Sequence, residues 1–93
     1  MRKNNESSAI IDGLLRFLVG GGVLATAIFA PNTLQALDKP VNTYFDKLDK
    51  RAREREYKRY LYYMKSRGLI KLSSDDYEHG IELTPAGKLR AEK

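Results

Sequence analysis

Residues 57–72 read Tyr57-Lys58-Arg59-Tyr60-Leu61-Tyr62-Tyr63-Met64-Lys65-Ser66-Arg67-Gly68-Leu69-Ile70-Lys71-Leu72, and after a polar stretch residues 80–88 read Gly80-Ile81-Glu82-Leu83-Thr84-Pro85-Ala86-Gly87-Lys88. Tyr57, Tyr60, Leu61 and Met64 recur at spacings of three and four, the apolar stripe of an amphipathic helix, while Arg55, Lys58, Arg59, Tyr62 and Ser66 project from other sides. Gly68 is placed to supply the left-handed position at which helices commonly end. Leu69 to Ser73 and Gly80 to Thr84 alternate apolar and polar residues, which predicts two short strands joined by Ser74 to His79. Thr84 followed by Pro85 is an N-cap followed by a first-turn proline, so a last helix is expected to run toward Lys93.

Upstream, the pattern from Tyr44 to Arg67 predicts one long polar helix. Its part before Tyr57 is poor in apolar residues and admits a separate helix, an extension or an arm that orders on a partner. Between Lys47 and Lys71 stand Lys47, Lys50, Arg51, Arg53, Arg55, Lys58, Arg59, Lys65, Arg67 and Lys71 against Asp49, Glu54 and Glu56. The sign then reverses at Asp75, Asp76 and Glu78. Pro40 closes the preceding region, and Val41 to Thr43 read as a short connection.

The N-terminal part divides into a polar, flexible residue 1–8 segment and an apolar helical segment over residues 9–40. Ser7 or Ser8 is placed to cap a helix starting near Ala9, and Ile10, Ile11, Leu14, Leu15, Phe17, Leu18 and Val19 carry helical spacing until Gly20-Gly21-Gly22 breaks it. Val23 to Ala30 resumes as a second piece, and Asn32 or Thr33 can cap a turn holding Leu34 and Leu37. Two readings stay open for residues 9–30: the first helices of a packed domain, or a membrane-associated segment. The uncharged run from Phe17 to Ala30 is 14 residues, short of the roughly 20 that a spanning helix needs. Extending it admits Asp12 and Arg16, whose i,i+4 spacing suits a pair on one face that meets water.

The chain has 93 residues, a formal net charge of +5 and no cysteine. That length fits one domain, the charge favours anionic partners, and the missing thiols exclude disulfides and cysteine chemistry. No catalytic residue is visible: the glycine triplet lacks the Lys-Ser/Thr of a phosphate loop, and there is no nucleophile with a base. His79 stands alone, so no metal site and no cofactor are expected, and the chain reads as a non-enzyme.

The run Tyr60 to Lys71 followed by Ile81 to Lys88 resembles winged helix-turn-helix transcription regulators, and is most similar to PaaX-like and PadR- or MarR-like proteins. The resemblance covers about residues 53–88. It implies a mainly α fold with a small two-stranded β wing, in which residues 41–93 hold recognition helix, wing and C-terminal helix. Ile10 to Val19 and Val23 to Leu37 would fill the places of the two earlier helices. It further implies a cytoplasmic DNA-binding protein, with Arg53, Arg55, Lys58, Arg59 and Tyr62 as candidates for contact with double-stranded DNA. The acidic turn runs against a DNA-contacting wing. Two alternatives therefore stand beside it: a module for protein contacts or homodimerisation, and a small protein associated with the inner membrane through residues 9–30. For packing, Met64 and Ile70 are expected to be buried together with Leu61 and Leu83. Tyr57 and Tyr60 should join the core, with one of Tyr62 and Tyr63 exposed.

Overall fold

The computed structural model describes residues 2–30, 33–72 and 81–92, residues 2–7 by their backbone alone. The residues of the acidic turn, Asp75, Asp76 and Glu78, and His79 lie outside the described residues. Helix α1 spans Arg2–Val19 and so begins well before Ala9. Ser8 lies inside it rather than at its cap. The stripe Ile10, Ile11, Leu14 and Leu15 is buried, as its spacing predicts. At the C-terminus Gly22 N–H bonds to Phe17 O (3.0 Å) and Gly21 N–H to Leu18 O (2.9 Å). These are the paired bonds of a Schellman ending, which needs a left-handed residue, and Gly21 supplies it at φ +86°.

Helix α2, Leu24–Phe29, turns Leu24, Ala27 and Ile28 into the core. Thr33 stands at the cap position of the one-turn 3-10 helix Leu34–Ala36, but its hydroxyl makes no capping bond there. It points back instead, 2.7–2.9 Å from the carbonyl oxygens of Thr26, Ala27 and Ala30, and closes the end of α2.

Two expectations for the middle of the chain are corrected. Pro40 opens a helix rather than closing a region: α3 spans Lys39–Asp46, with Pro40 in the first turn where its missing N–H costs nothing, and it buries Val41 and Phe45. The polar helix expected from Tyr44 to Arg67 is two helices. Lys47, Leu48 and Asp49 separate α3 from α4, Lys50–Ser66, and the Asp49 carboxylate accepts the Ala52 N–H at 2.8 Å. A side-chain acceptor at that point satisfies an N–H that a new helix leaves orphaned. The result is a helix, a three-residue turn and a second helix.

Tyr57, Tyr60, Leu61 and Met64 form the buried face of α4. The helix ends as its sequence predicts: Gly68 sits at φ +74°, with Leu69 N–H bonded to Met64 O at 2.9 Å and Gly68 N–H to Lys65 O at 3.0 Å. Strands β1 (Ile70–Leu72) and β2 (Ile81–Leu83) pair antiparallel, Ile70 opposite Leu83 and Leu72 opposite Ile81. Helix α5, Pro85–Ala91, starts at Thr84, whose hydroxyl accepts Gly87 N–H at 3.1 Å and donates to Gly68 O at 2.6 Å. One side chain thus caps α5 and ties it to the end of α4.

Gly87 explains why the Leu-Thr-Pro-Ala-Gly run has glycine at its end. A Cβ there would overlap the carbonyl oxygen of Leu69, so α5 can lie directly on the backbone leading into β1 only if residue 87 has no side chain. The core is continuous: Leu14, Leu15, Ile28, Val41, Phe45, Leu61 and Met64 are all essentially inaccessible. Met64 and Ile70 are buried with Leu61, and Leu83 packs partly buried against them. The architecture is mainly α with a small two-stranded β wing. Among the described residues, no helix is long and apolar enough to cross a membrane.

Candidate nucleic-acid interface

With Tyr57, Tyr60, Leu61 and Met64 turned inward, the 3.6-residue period fixes what α4 presents outward. Arg51, Arg55, Lys58, Tyr62 and Lys65 follow one another at steps of four, three, four and three, and all are exposed. Of the residues expected to contact DNA, Arg55, Lys58, Arg59 and Tyr62 lie on this outer side of α4. Tyr63 is exposed as well as Tyr62, at 41% against 53%, so the helix end carries two accessible tyrosines. The Arg67 guanidinium lies over the Tyr63 ring, 5.0 Å from its centroid.

Arg53 points the other way. It is half-buried, donating from Nη1 to Ile28 O and from Nη2 to Leu48 O, each at 3.2 Å. Those two carbonyls belong to the last turn of α2 and to the turn between α3 and α4, so the guanidinium braces the helix pair from inside. Its Nε is buried without a partner among the described residues. Sequence spacing alone cannot reveal this, because the acceptors are tertiary neighbours. Arg51, in contrast, stands four residues before Arg55 on the same exposed face, a placement that the helical period alone gives.

The outward cations differ in how they are held. Lys58 Nζ lies 3.4 Å from Glu54 Oε2, an exposed i,i+4 pair, and Arg55 approaches Glu56 only at 3.8 Å with its side chain 68% exposed. Arg59 is bound firmly, with Nε and Nη2 donating to Glu56 Oε1 at 2.8 and 2.6 Å. The same oxygen accepts the Tyr44 hydroxyl from α3 at 2.7 Å. Arg59 also lies over the Tyr60 ring, 4.9 Å from its centroid.

These contacts shift the ionisation of the three groups. The Arg59 hydrogen bonds hold the Glu56 carboxyl below its ordinary value, and the Glu56 carboxylate raises Arg59 in turn. Burial, then the bond to Glu56, pushes the Tyr44 phenol up to about 12. At neutral pH the network is therefore a fixed phenol, carboxylate and guanidinium, bridging α3 to α4.

Lys39 and Thr43 on α3 and Lys47 just past its end follow at i, i+4 and i+8 and line a shallow depression with Ala9, Pro40 and Tyr44. No ion pair engages Lys39 or Lys47 among the described residues. Nor do the described residues contain a cluster of His, Asp or Glu able to hold a metal ion. Comparison with protein-family models, with curated proteins and with solved structures returned no match.

Proposed function

We propose that this chain is a small winged-helix protein that binds double-stranded DNA, acting as a cytoplasmic transcription regulator. The observation that carries the reading is the outward face of α4, where Arg51, Arg55, Lys58 and Lys65 line up with Tyr62 opposite a fully buried stripe. That helix follows a three-residue turn from α3, the arrangement in which a second helix enters the major groove while the first crosses the backbone. Lys39 at the start of α3 and Lys47 just past its end suit phosphates on that crossing, and the cations of α4 suit phosphates and base edges within the groove. The resemblance of the runs Tyr60 to Lys71 and Ile81 to Lys88 to winged-helix regulators supports the same reading, and within those runs Gly68 ends α4, Thr84 and Pro85 open α5, and Gly87 lets α5 lie on the backbone of Leu69.

Titration of the chain against a labelled duplex at two salt concentrations tests this. Binding should weaken steeply with salt, because each phosphate neutralised contributes about 0.9 to the log-log slope. Absence of binding at low salt rejects it. The reading left standing would then be a protein-contact or homodimerisation module, which the exposed Tyr62, Tyr63 and Leu89 favour.

A further inference from the structure

Arg59 stands apart from the other cations on the outer side of α4 because its orientation is determined from the core outward. Phe45 is fully buried, and the Tyr44 ring packs edge-on against it at 5.3 Å and against Tyr60 at 5.9 Å. From that seat the Tyr44 hydroxyl holds Glu56 Oε1 at 2.7 Å, and the Glu56 side chain is only 14% exposed. Glu56 in turn takes the Nε and Nη2 side of the guanidinium. What remains is Nη1 and the second hydrogen of Nη2, an end-on pair of donors on a side chain still 57% exposed, with the Tyr44 hydroxyl also interacting with the guanidinium.

That residual edge has the geometry for two parallel acceptors. A phosphate needs only a positive charge near it, and a flexible lysine or arginine supplies that; guanine presents O6 and N7 side by side in the major groove, an arrangement that the planar arginine fork matches more closely than a point charge does. Holding the fork in advance removes part of the rotamer entropy lost on binding. The Glu56 carboxylate also offsets the charge of Arg59 and repels any phosphate nearby. The arrangement therefore weakens Arg59 as a general anion contact while sharpening it as a directional donor.

We infer that Arg59 reads a base edge, guanine by its donor geometry, and that Glu56 and Tyr44 are its positioning residues, while Arg51, Arg55 and Lys65 supply sequence-independent charge. This rests on the duplex-DNA reading proposed above.

The test starts by selecting bound sequences from a pool of random duplexes with the wild-type chain, then compares affinity for the selected duplex and a scrambled one at two salt concentrations. Arg59→Lys keeps the charge and removes the planar fork, so the ratio of the two affinities should fall, by at most the roughly 5- to 150-fold worth of one bidentate contact. Affinity for the scrambled duplex and the salt slope should stay as they are. Tyr44→Phe lacks only the hydroxyl, which is held by Glu56, and it should lower the same ratio by a smaller factor. Arg55→Ala should weaken both duplexes together. Circular dichroism checks that both variants are folded, and Arg59→Lys keeps the inference testable if Tyr44→Phe is not.

An unchanged ratio in Arg59→Lys, or a pool that yields no preferred sequence although duplex is bound, overturns the inference and leaves DNA binding intact. An unchanged ratio in Tyr44→Phe alone overturns the role of Tyr44. Failure of the wild type to bind any duplex at low salt removes the DNA reading and this inference with it.

Discussion

Asp12 and Arg90, 78 residues apart, meet in an ion pair, with Arg90 Nε donating to Asp12 Oδ1 at 2.6 Å. Arg90 Nη2 also reaches Ser8 Oγ at 3.0 Å, so the last turn of α5 is fastened to the middle of α1. Arg16, one turn beyond Asp12, pairs with Asp38 ahead of α3 instead, with Nε to Oδ2 at 2.7 Å. The i,i+4 pair expected within α1 thus does not form; each member reaches a different element. Both Asp12 and Arg90 side chains are about one-third exposed, at 31% and 33%, which limits the strength of the pair. A double-mutant cycle with Asp12→Asn and Arg90→Gln should give a coupling of about 0.2–1 kcal/mol that shrinks in high salt. Strictly additive single effects in urea melts would show that the contact contributes nothing to stability.

Gly87 and the pair Met64 and Ile70 test the junction of α4, the wing and α5 from opposite directions. Gly87→Ala adds a methyl where the Leu69 carbonyl oxygen already sits, and relieving that overlap should cost about 1–3 kcal/mol. Met64→Ala or Ile70→Ala removes volume from a site that is 0% and 2% exposed, with an expected loss of about 2–5 kcal/mol. Ala86→Ser, next to Gly87 but exposed, should change stability by no more than about 0.5 kcal/mol. Equal melting temperatures for Gly87→Ala and Ala86→Ser would contradict the packing of α5 on the backbone.

The parts of this fold that are visible in the sequence are those governed by local chemistry. A glycine after the last helical turn, a threonine followed by proline, and a period of three to four each act within a few residues. Gly68, Thr84 and the stripe from Tyr57 to Met64 accordingly appear where they are expected. The turn at Lys47 to Asp49 is harder to see: Leu48 continues an apolar rhythm, and Asp49 sits among so many charges that its capping role is hidden. Partners chosen by tertiary folding are not legible at all. Arg53 and Arg55 look alike in sequence, and only the carbonyls of Ile28 and Leu48 turn one of them inward. In the same way nothing near Arg59 in the chain announces the hydroxyl of Tyr44, twelve residues before the carboxylate it holds.

Protonating Glu56 should loosen the contact between α3 and α4. Its folded carboxyl is held below the ordinary value of 4.5, chiefly by the Arg59 hydrogen bonds. A depressed folded value means that the unfolded chain takes up the proton first. The stability it contributes is therefore fully present above about pH 4.5 and is lost as pH falls through the folded value. Wild type should be more stable than Glu56→Gln at neutral pH, with the gap closing under acid. At the alkaline end the sign comes from Tyr44, whose unfolded phenol ionises near 10.0 while the folded one keeps its proton to about 12. Stability should decline across that window in wild type, and less so in Tyr44→Phe. Urea melts from pH 3 upward settle both, and a constant gap between wild type and Glu56→Gln across the acid range would exclude the linkage.

Arg53 and Arg55 should separate stability from binding. Arg53→Ala strips the donors from the Ile28 and Leu48 carbonyls, and leaving such acceptors unsatisfied costs about 1–3 kcal/mol. Because its guanidinium faces the interior, the substitution should lower the melting temperature while the salt slope of duplex binding by the folded fraction is unchanged. Arg55→Ala should do the reverse. Its side chain is 68% exposed and its closest ion-pair contact is 3.8 Å, so its removal should change stability by no more than about 0.5 kcal/mol. It should reduce the salt slope by about 0.9 if it neutralises one phosphate. Melting curves and duplex titrations on the same two proteins make the comparison. A result in which Arg53→Ala keeps its melting temperature and loses the slope, with Arg55→Ala unaltered in both, would mean that a different face of α4 meets the DNA.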